Sequence, residues 1–193
     1  MKNNLPVFPL GLVALPGTIQ SLQIFEPRYI NMIKNCMSND HGFVIVLQKK
    51  DELNFGIHKK GTYVEIIDFN NLPNGLLGIT VRAENKVSIN NLCQLEDGLN
   101  IADIKPEIDP EVDNQALIAE YPEIINILSQ IIKHPKVTEL PIKVDFNSAD
   151  SIAYHLAGLI PLTTNQRQNL LEAFDAAQRL AILSKYIEKI STI

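Results

Sequence analysis

Cysteine is scarce in this chain: Cys36 and Cys93 are the only two among 193 residues, and neither has a histidine or cysteine at metal-ligand spacing. That scarcity argues against a disulfide framework and a cysteine-based metal site, and both thiols are expected to be small buried apolar residues. No apolar run approaches the roughly 20 residues that a membrane helix needs. Met1-Lys2-Asn3-Asn4 leads into strand-like sequence, not a signal-peptide core, so a cytoplasmic protein without membrane association is expected. The G-x-x-x-x-G-K-[ST] loop that cradles nucleotide phosphates is absent. So is any H-x-x-x-H pair. His41 precedes a glycine turn, His58 lies among lysines, His134 ends a helix where a cation favours the dipole, and His155 lies on a helix about one turn from Asp150. No metal or cofactor is expected from them. Ser184 and Lys185 are adjacent on a predicted helix, so their side chains point about 100° apart, poor geometry for a serine activated by lysine.

What is present is a packable chain, 46% hydrophobic, with an uneven charge distribution. Residues 1–105 carry 10 acidic and 10 basic side chains, whereas residues 106–193 carry 12 acidic and 7 basic, so the whole net charge of −5 lies in the second part. Such a surface repels phosphate backbones, and nucleic acid is an unlikely partner for it. Lys49, Lys50, Lys59 and Lys60 offer one local basic patch in the first part, or simply solvated strand ends.

Strand-like runs fill the first half: Phe43 to Leu47, Thr62 to Phe69, Leu77 to Arg82, Lys86 to Leu92 and Leu99 to Ile104. In the second of these, Tyr63, Ile67 and Phe69 alternate with Val64, Ile66 and Asp68, and both faces are partly apolar, as in a strand of a small barrel. The proline-bracketed acidic stretch 105–113 predicts an extended connection, which divides the chain into residues 1–108 and 109–193. Beyond it an apolar stripe runs from Asn114 to Lys133, and Pro122 either kinks that helix or starts a second one. Ser148, Thr163 with Gln166, and Asp175 predict three more helix starts. The bundle core is expected to hold Ile152, Leu156, Leu159, Leu170, Leu171, Phe174, Leu180, Ile182, Leu183, Tyr186, Ile187 and Ile190.

Residues 5–36 are the most informative stretch. They predict a strand, a Pro16-Gly17 turn, a second strand stopped by Pro27, and a helix with Tyr29, Ile30, Met32, Ile33 and Cys36 on one side. The succession FPLG, LPG and IFEPRY resembles the amino-terminal substrate-binding domain of the ATP-dependent Lon proteases. Further along, Gly61–Phe69 resembles the family's GT strand, Leu72–Val81 its hairpin, and Asp150–Ala157 with Leu159–Thr163 its helix and LLPL corner. Ala83-Glu84-Asn85-Lys86-Val87 departs from the family's Gly-x-x-Arg-Phe, and a locally different turn is expected there because alanine disfavours positive φ.

The resemblance implies an α+β protein, a β-rich pseudo-barrel of the PUA-like type followed by a helical bundle. It also implies noncatalytic recognition of unfolded polypeptide or a protein partner, as a stand-alone adaptor without ATPase or peptidase domains. RNA binding through the lysine patch is the alternative, and a small-molecule-binding or hydrolytic enzyme comes third. Glu26, Arg28 and Tyr29 are the candidate binding residues. Arg28 either pairs with Glu26 and caps carbonyls at the strand-to-helix corner or presents its fork to a peptide carboxylate.

Overall fold

Proline at 16 and glycine at 17, with Gly17 at φ 80°, turn the chain between its first two strands, and Thr18 closes the turn with its amide and hydroxyl on the Leu15 carbonyl at 3.0 and 2.7 Å. The computed structural model describes residues 2–49 and 56–191. They divide into two units, residues 1–107 and 108–193.

The first unit contains β1 (Lys2–Leu10), β2 (Ile19–Ile24), α1 (Pro27–Ser38), β3 (Phe43–Leu47), β4 (Lys60–Asn71), β5 (Leu77–Gln94) and β6 (Asn100–Pro106). The strand order is β2-β5-β4-β3-β1-β6, and β6 also pairs with β5, so the pairings among β1, β3, β4, β5 and β6 return on themselves as a pseudo-barrel. Among the described residues only β1 and β3 run parallel. Two apolar clusters explain the composition of β3. Phe43 and Ile45 join Tyr29, Met32, Ile33 and Cys36 of α1 on one side, while Val44 and Val46 join Leu5, Val7, Tyr63 and Ile104 on the other. A strand buried on both faces has no polar positions to offer, and all five residues of β3 are buried.

Three expectations for this unit are corrected. Leu77–Arg82 and Lys86–Leu92 are parts of one strand, β5, with no turn at Ala83. Ala83 is buried in extended backbone, and its amide and carbonyl bond Thr18 and Gly17 at 2.9 and 2.8 Å, a partner 65 residues upstream that no local pattern reveals. The alternation of β4 is broken by register shifts between Thr62 and Val64 and between Ile66 and Asp68, so Tyr63 is buried while Ile67 and Phe69 are exposed. Cys93 is exposed, on the far end of β5.

The second unit contains α2 (Asn114–Ala119), α3 (Pro122–Ile131), α4 (Pro135–Thr138), α5 (Ala149–Leu159), α6 (Thr164–Glu172) and α7 (Ala176–Ser191). Pro122 starts a helix instead of kinking one: Tyr121 before it has non-helical backbone, and the proline takes a first-turn position where its missing amide costs nothing. His134 takes the N-cap of the short α4, its Nδ1 accepting from the Lys136 amide at 3.3 Å, so it begins a helix where the sequence reading has it end one. Ser148 caps α5, Thr163 and Gln166 form a complete capping box on α6, and Asp175 accepts from the Gln178 amide at 2.8 Å at the start of α7. The central helix α5 packs against both α3 and α7. Ile152, Leu156, Leu170, Leu171, Leu180, Leu183 and Ile187 are buried as expected, but Phe174 and Ile190 are exposed. Phe174 follows the end of α6 in the corner before α7, where its ring faces water.

The interior of this bundle also holds a charge that the apolar pattern does not announce. Arg179 is fully buried. It donates Nε to the Leu170 carbonyl at 3.0 Å, Nη2 to Asp109 at 2.6 Å and Nη1 to Asp150, and its guanidinium lies 4.4 Å from the centre of the Tyr154 ring. Burial works to discharge it, but Tyr154, Asp150 and Asp109 outweigh that effect and its pKa is raised.

Candidate functional site

The strand-to-helix corner is built from consecutive residues that each do something different. Ile24 ends β2 inside the core, Phe25 then faces solvent, and Glu26 takes the N-cap of α1 with Pro27 at the first helical position. The Glu26 carbonyl accepts from the amides of Tyr29 and Ile30 at 3.0 and 3.1 Å. Its carboxylate does not cap the helix but pairs with Arg28 Nη2 at 2.7 Å. Arg28 Nη1 donates to the Gly98 carbonyl at 2.8 Å, tying the corner to the turn between β5 and β6. Of the two arrangements open to this side chain, it adopts the inward one, pairing with Glu26 and capping a carbonyl.

Gly98 fits that contact for two reasons. Its φ is +82°, and a Cβ there would lie 3.0 Å from Arg28 Nη1. The same Gly98 carbonyl accepts a second donor, Gln94 Nε2, at 3.1 Å. Tyr29 is buried, its ring 4.0 Å from that of Phe8 and 4.7 Å from the Arg28 guanidinium. Burial raises the pKa of its phenol, Arg28 opposes the shift and Glu26 adds to it.

These residues wall an open cleft of about 420 Å³ in the first unit. Glu26, Arg28 and Tyr29 all line it. Sequence reasoning did not identify the rest of the lining: Phe8 and Phe25 supply aromatic surface, and Gln23, Gln48, Gln94 and Asn100 supply amides from β2, the end of β3, β5 and β6. Gln23 and Gln48 are exposed. The sequence signal for Phe25 is an aromatic placed directly before Glu26-Pro27, where α1 starts.

The other sites weighed from the sequence are less developed. Lys60 is paired with Glu107 at 2.8 Å, Lys59 is exposed, and Lys50 lies outside the described residues. Among the described residues no group of three or more His, Cys, Asp and Glu side chains is placed to hold a metal, and no helix is long and apolar enough to cross a membrane. Buried Cys36 donates to the Gly42 carbonyl at 3.7 Å, and burial pushes its thiol up to about 11. A raised thiol pKa means that the unfolded chain ionises first. Any stability Cys36 lends is therefore whole below the ordinary value near 9 and is lost as pH rises through about 11. At neutral pH a thiol reagent is expected to label Cys93 rapidly and Cys36 only on unfolding, read as one and then two adducts by mass spectrometry; equal rates in the folded protein would contradict the buried placement.

The family model for the ATP-dependent protease La (LON) substrate-binding domain matches residues 4–189. Lon protease from Heliobacterium modesticaldum is 25% identical over 198 residues, covering 96% of this chain and 24% of that protein. Lon protease 1 from Bacillus subtilis is 24% identical over 195 residues, covering 93% and 24%. The chain thus spans about a quarter of the length of the curated relatives it matches. A crystal structure of a Lon N-terminal domain protein from Xanthomonas campestris superposes with a TM-score of 0.75 at 26% identity, covering 96% of this chain and 99% of that one. The N-terminal domain of the Mycobacterium avium complex Lon protease shares the fold at a TM-score of 0.72 and 18% identity, covering 95% and 97%. With a family model that spans both units, and with relatives and solved structures that do the same, the chain belongs to the LON substrate-binding domain family.

Proposed function

We propose that this protein recognises polypeptide noncovalently, as a cytoplasmic binding or adaptor module without catalysis of its own, and that the cleft at the β2–α1 corner is where it does so. The observation that carries this reading is the cleft's chemistry. Phe25, 65% exposed, stands beside exposed Gln23, with Gln48 on the same cleft. An aromatic surface suits varied apolar side chains, and neighbouring amides suit the donors and acceptors of a peptide backbone. In this reading Arg28 and Glu26 are positioning residues, engaged with each other and with Gly98, and they hold the cleft wall in place. The two-part organisation, residues 1–108 and 109–193, is proposed with it.

The test is a titration of a denatured model protein and a peptide array against the full chain. Binding in the micromolar range is expected, with little dependence on salt, because varied sequences are met by adaptable apolar contact. Phe25→Ala is expected to weaken it about tenfold while the melting temperature stays within a degree or two, since the ring is mostly exposed. No binding to any unfolded polypeptide at high protein concentration would sink the reading. ATP turnover or peptide cleavage that tracks a point mutation in this chain would overturn its noncatalytic part. RNA binding is less well supported, because Lys60 of the lysine patch is engaged with Glu107. A submicromolar, strongly salt-dependent RNA complex would reverse that order.

A further inference from the structure

Among the described residues no strand lies on one edge of the far half of β4. β3 begins at Phe43, opposite Val64, and its register on β4 runs through Val44–Tyr63 and Ile45–Thr62. Residues 65–71 of β4 therefore pair with β5 on one side, and no strand of the described residues pairs with the other. The Phe69 amide is instead held by the neighbouring Asp68 carboxylate at 2.9 Å.

Exposed sheet edges are usually blunted by charge, proline or a bulge, and residues 65–71, Glu-Ile-Ile-Asp-Phe-Asn-Asn, carry two acids and one register shift but no lysine or proline. Apolar surface is left there instead: Ile67 is 42% exposed beside the register shift, Phe69 is 55% exposed, and Met37 at the end of α1 is 43% exposed. Where a strand in line with β3 would continue, a cavity of about 320 Å³ opens between the end of α1 and β4. Met37 and Ile66 give it apolar walls, and Asp40 and Glu65 give it carboxylates. Asp68 adds a third acid along the same strand. The one arginine close by, Arg82, is already bound to Glu65 at 3.5 Å and to Glu84.

We propose that this edge takes an extended polypeptide segment in which lysine or arginine alternates with apolar residues, added as a strand along residues 65–71. The backbone bonds of the added strand would satisfy the open edge, its apolar side chains would meet Ile67, Phe69 and Met37, and its cations would meet Asp40, Glu65 and Asp68. This deepens the polypeptide-binding reading by adding a second, charge-selective contact that is separate from the cleft at Phe25.

The experiment uses the full chain and three fluorescein-labelled probes: a peptide of alternating valine and lysine, its glutamate counterpart, and the lysine peptide N-methylated at alternate amides. The lysine peptide is expected to bind at least tenfold more tightly than either of the others. The double substitution Ile67→Lys with Phe69→Lys is expected to weaken it by at least tenfold, whereas Phe69→Leu retains most binding and Phe174→Ala, at an exposed ring of the second unit, leaves it unchanged. Amide chemical shifts should move at residues 65–71. Equal affinity for the glutamate peptide, indifference to N-methylation, or indifference to the double variant in a chain whose thermal melt is unaltered would overturn this proposal and leave the cleft reading standing. Failure of all three peptides to bind would overturn this proposal, while the cleft reading is decided by its own titration of unfolded protein. A concentration-dependent dimer abolished by the double variant, with no peptide bound at the edge, would assign the edge to a second copy of the chain and refute a polypeptide occupant.

Discussion

Arg179→Ala is expected to destabilise residues 108–193 by about 3–5 kcal/mol, the range found when one partner of a buried ion pair is removed. Three losses combine. The fully buried side chain leaves a void, the Leu170 carbonyl loses its donor, and the carboxylates of Asp109 and Asp150 face one another without a cation. Arg179→Met refills the volume and should recover part of the loss. Asp150, whose side chain is 41% exposed, can turn to water, so Asp150→Asn should cost about 1 kcal/mol or less, and Asp109→Asn, at 15% exposure, more than that. Urea unfolding of the full chain, followed separately through amide signals of residues 1–107 and 108–193, would check the order. An Arg179→Ala protein as stable as its parent would show that the cluster contributes little and that the buried cation is no more than tolerated.

Gly42→Ala is expected to cost about 1–3 kcal/mol, as overpacking of a filled core does, and more if the Tyr63 hydroxyl bond is lost with it. A Cβ at this position would lie 2.9 Å from Tyr63 Cζ and inside the contact distance of the Val64 carbonyl oxygen. The backbone has little freedom to retreat. The Gly42 amide donates to the Tyr63 hydroxyl at 2.7 Å, and the next residue, Phe43, is fully buried. Gly11→Ala is the matched control: nothing lies within 4 Å of its Cβ position, so its effect should stay within about 0.5 kcal/mol. Equal melting temperatures for the two variants would contradict the close approach of β3 to β4.

What the sequence made legible was local chemistry. Thr163 and Gln166 sit three residues apart and complete their box within one helical turn, and Pro27 ends one strand pattern and begins a helix at the same point. What it hid was bonded at a distance. Ala83-Glu84-Asn85 looks like a turn because its partners, Gly17 and Thr18, belong to the other end of the unit. Arg179 falls near the buried side of an apolar helix, and the acids that justify it lie 29 and 70 residues upstream. The candidate site shows the same division. Glu26, Arg28 and Tyr29 are marked by the resemblance of IFEPRY, but Gln94 and Asn100 reach the cleft, and Gly98 reaches Arg28, only because β5 and β6 bring their joining turn beside α1. Phe174 is exposed for a simpler reason: α6 stops at Glu172, so the ring lies in the corner before α7 and not on a helical face.

The placement of β1 between β3 and β6 has a consequence for synthesis. β1 is made about 100 residues before one of its neighbours, with Leu5 opposite Ala102 and Val7 opposite Asn100. Contacts of such long sequence separation form slowly, because the intervening chain must be ordered before they contribute. Until Asn100–Pro106 has emerged, a nascent chain carries Val7 and its neighbours on a strand with an unfilled side, the kind of surface that recruits holdase chaperones. Closure of the first unit therefore waits for β6, and a ribosome stalled before residue 100 presents a strand that cannot complete its sheet.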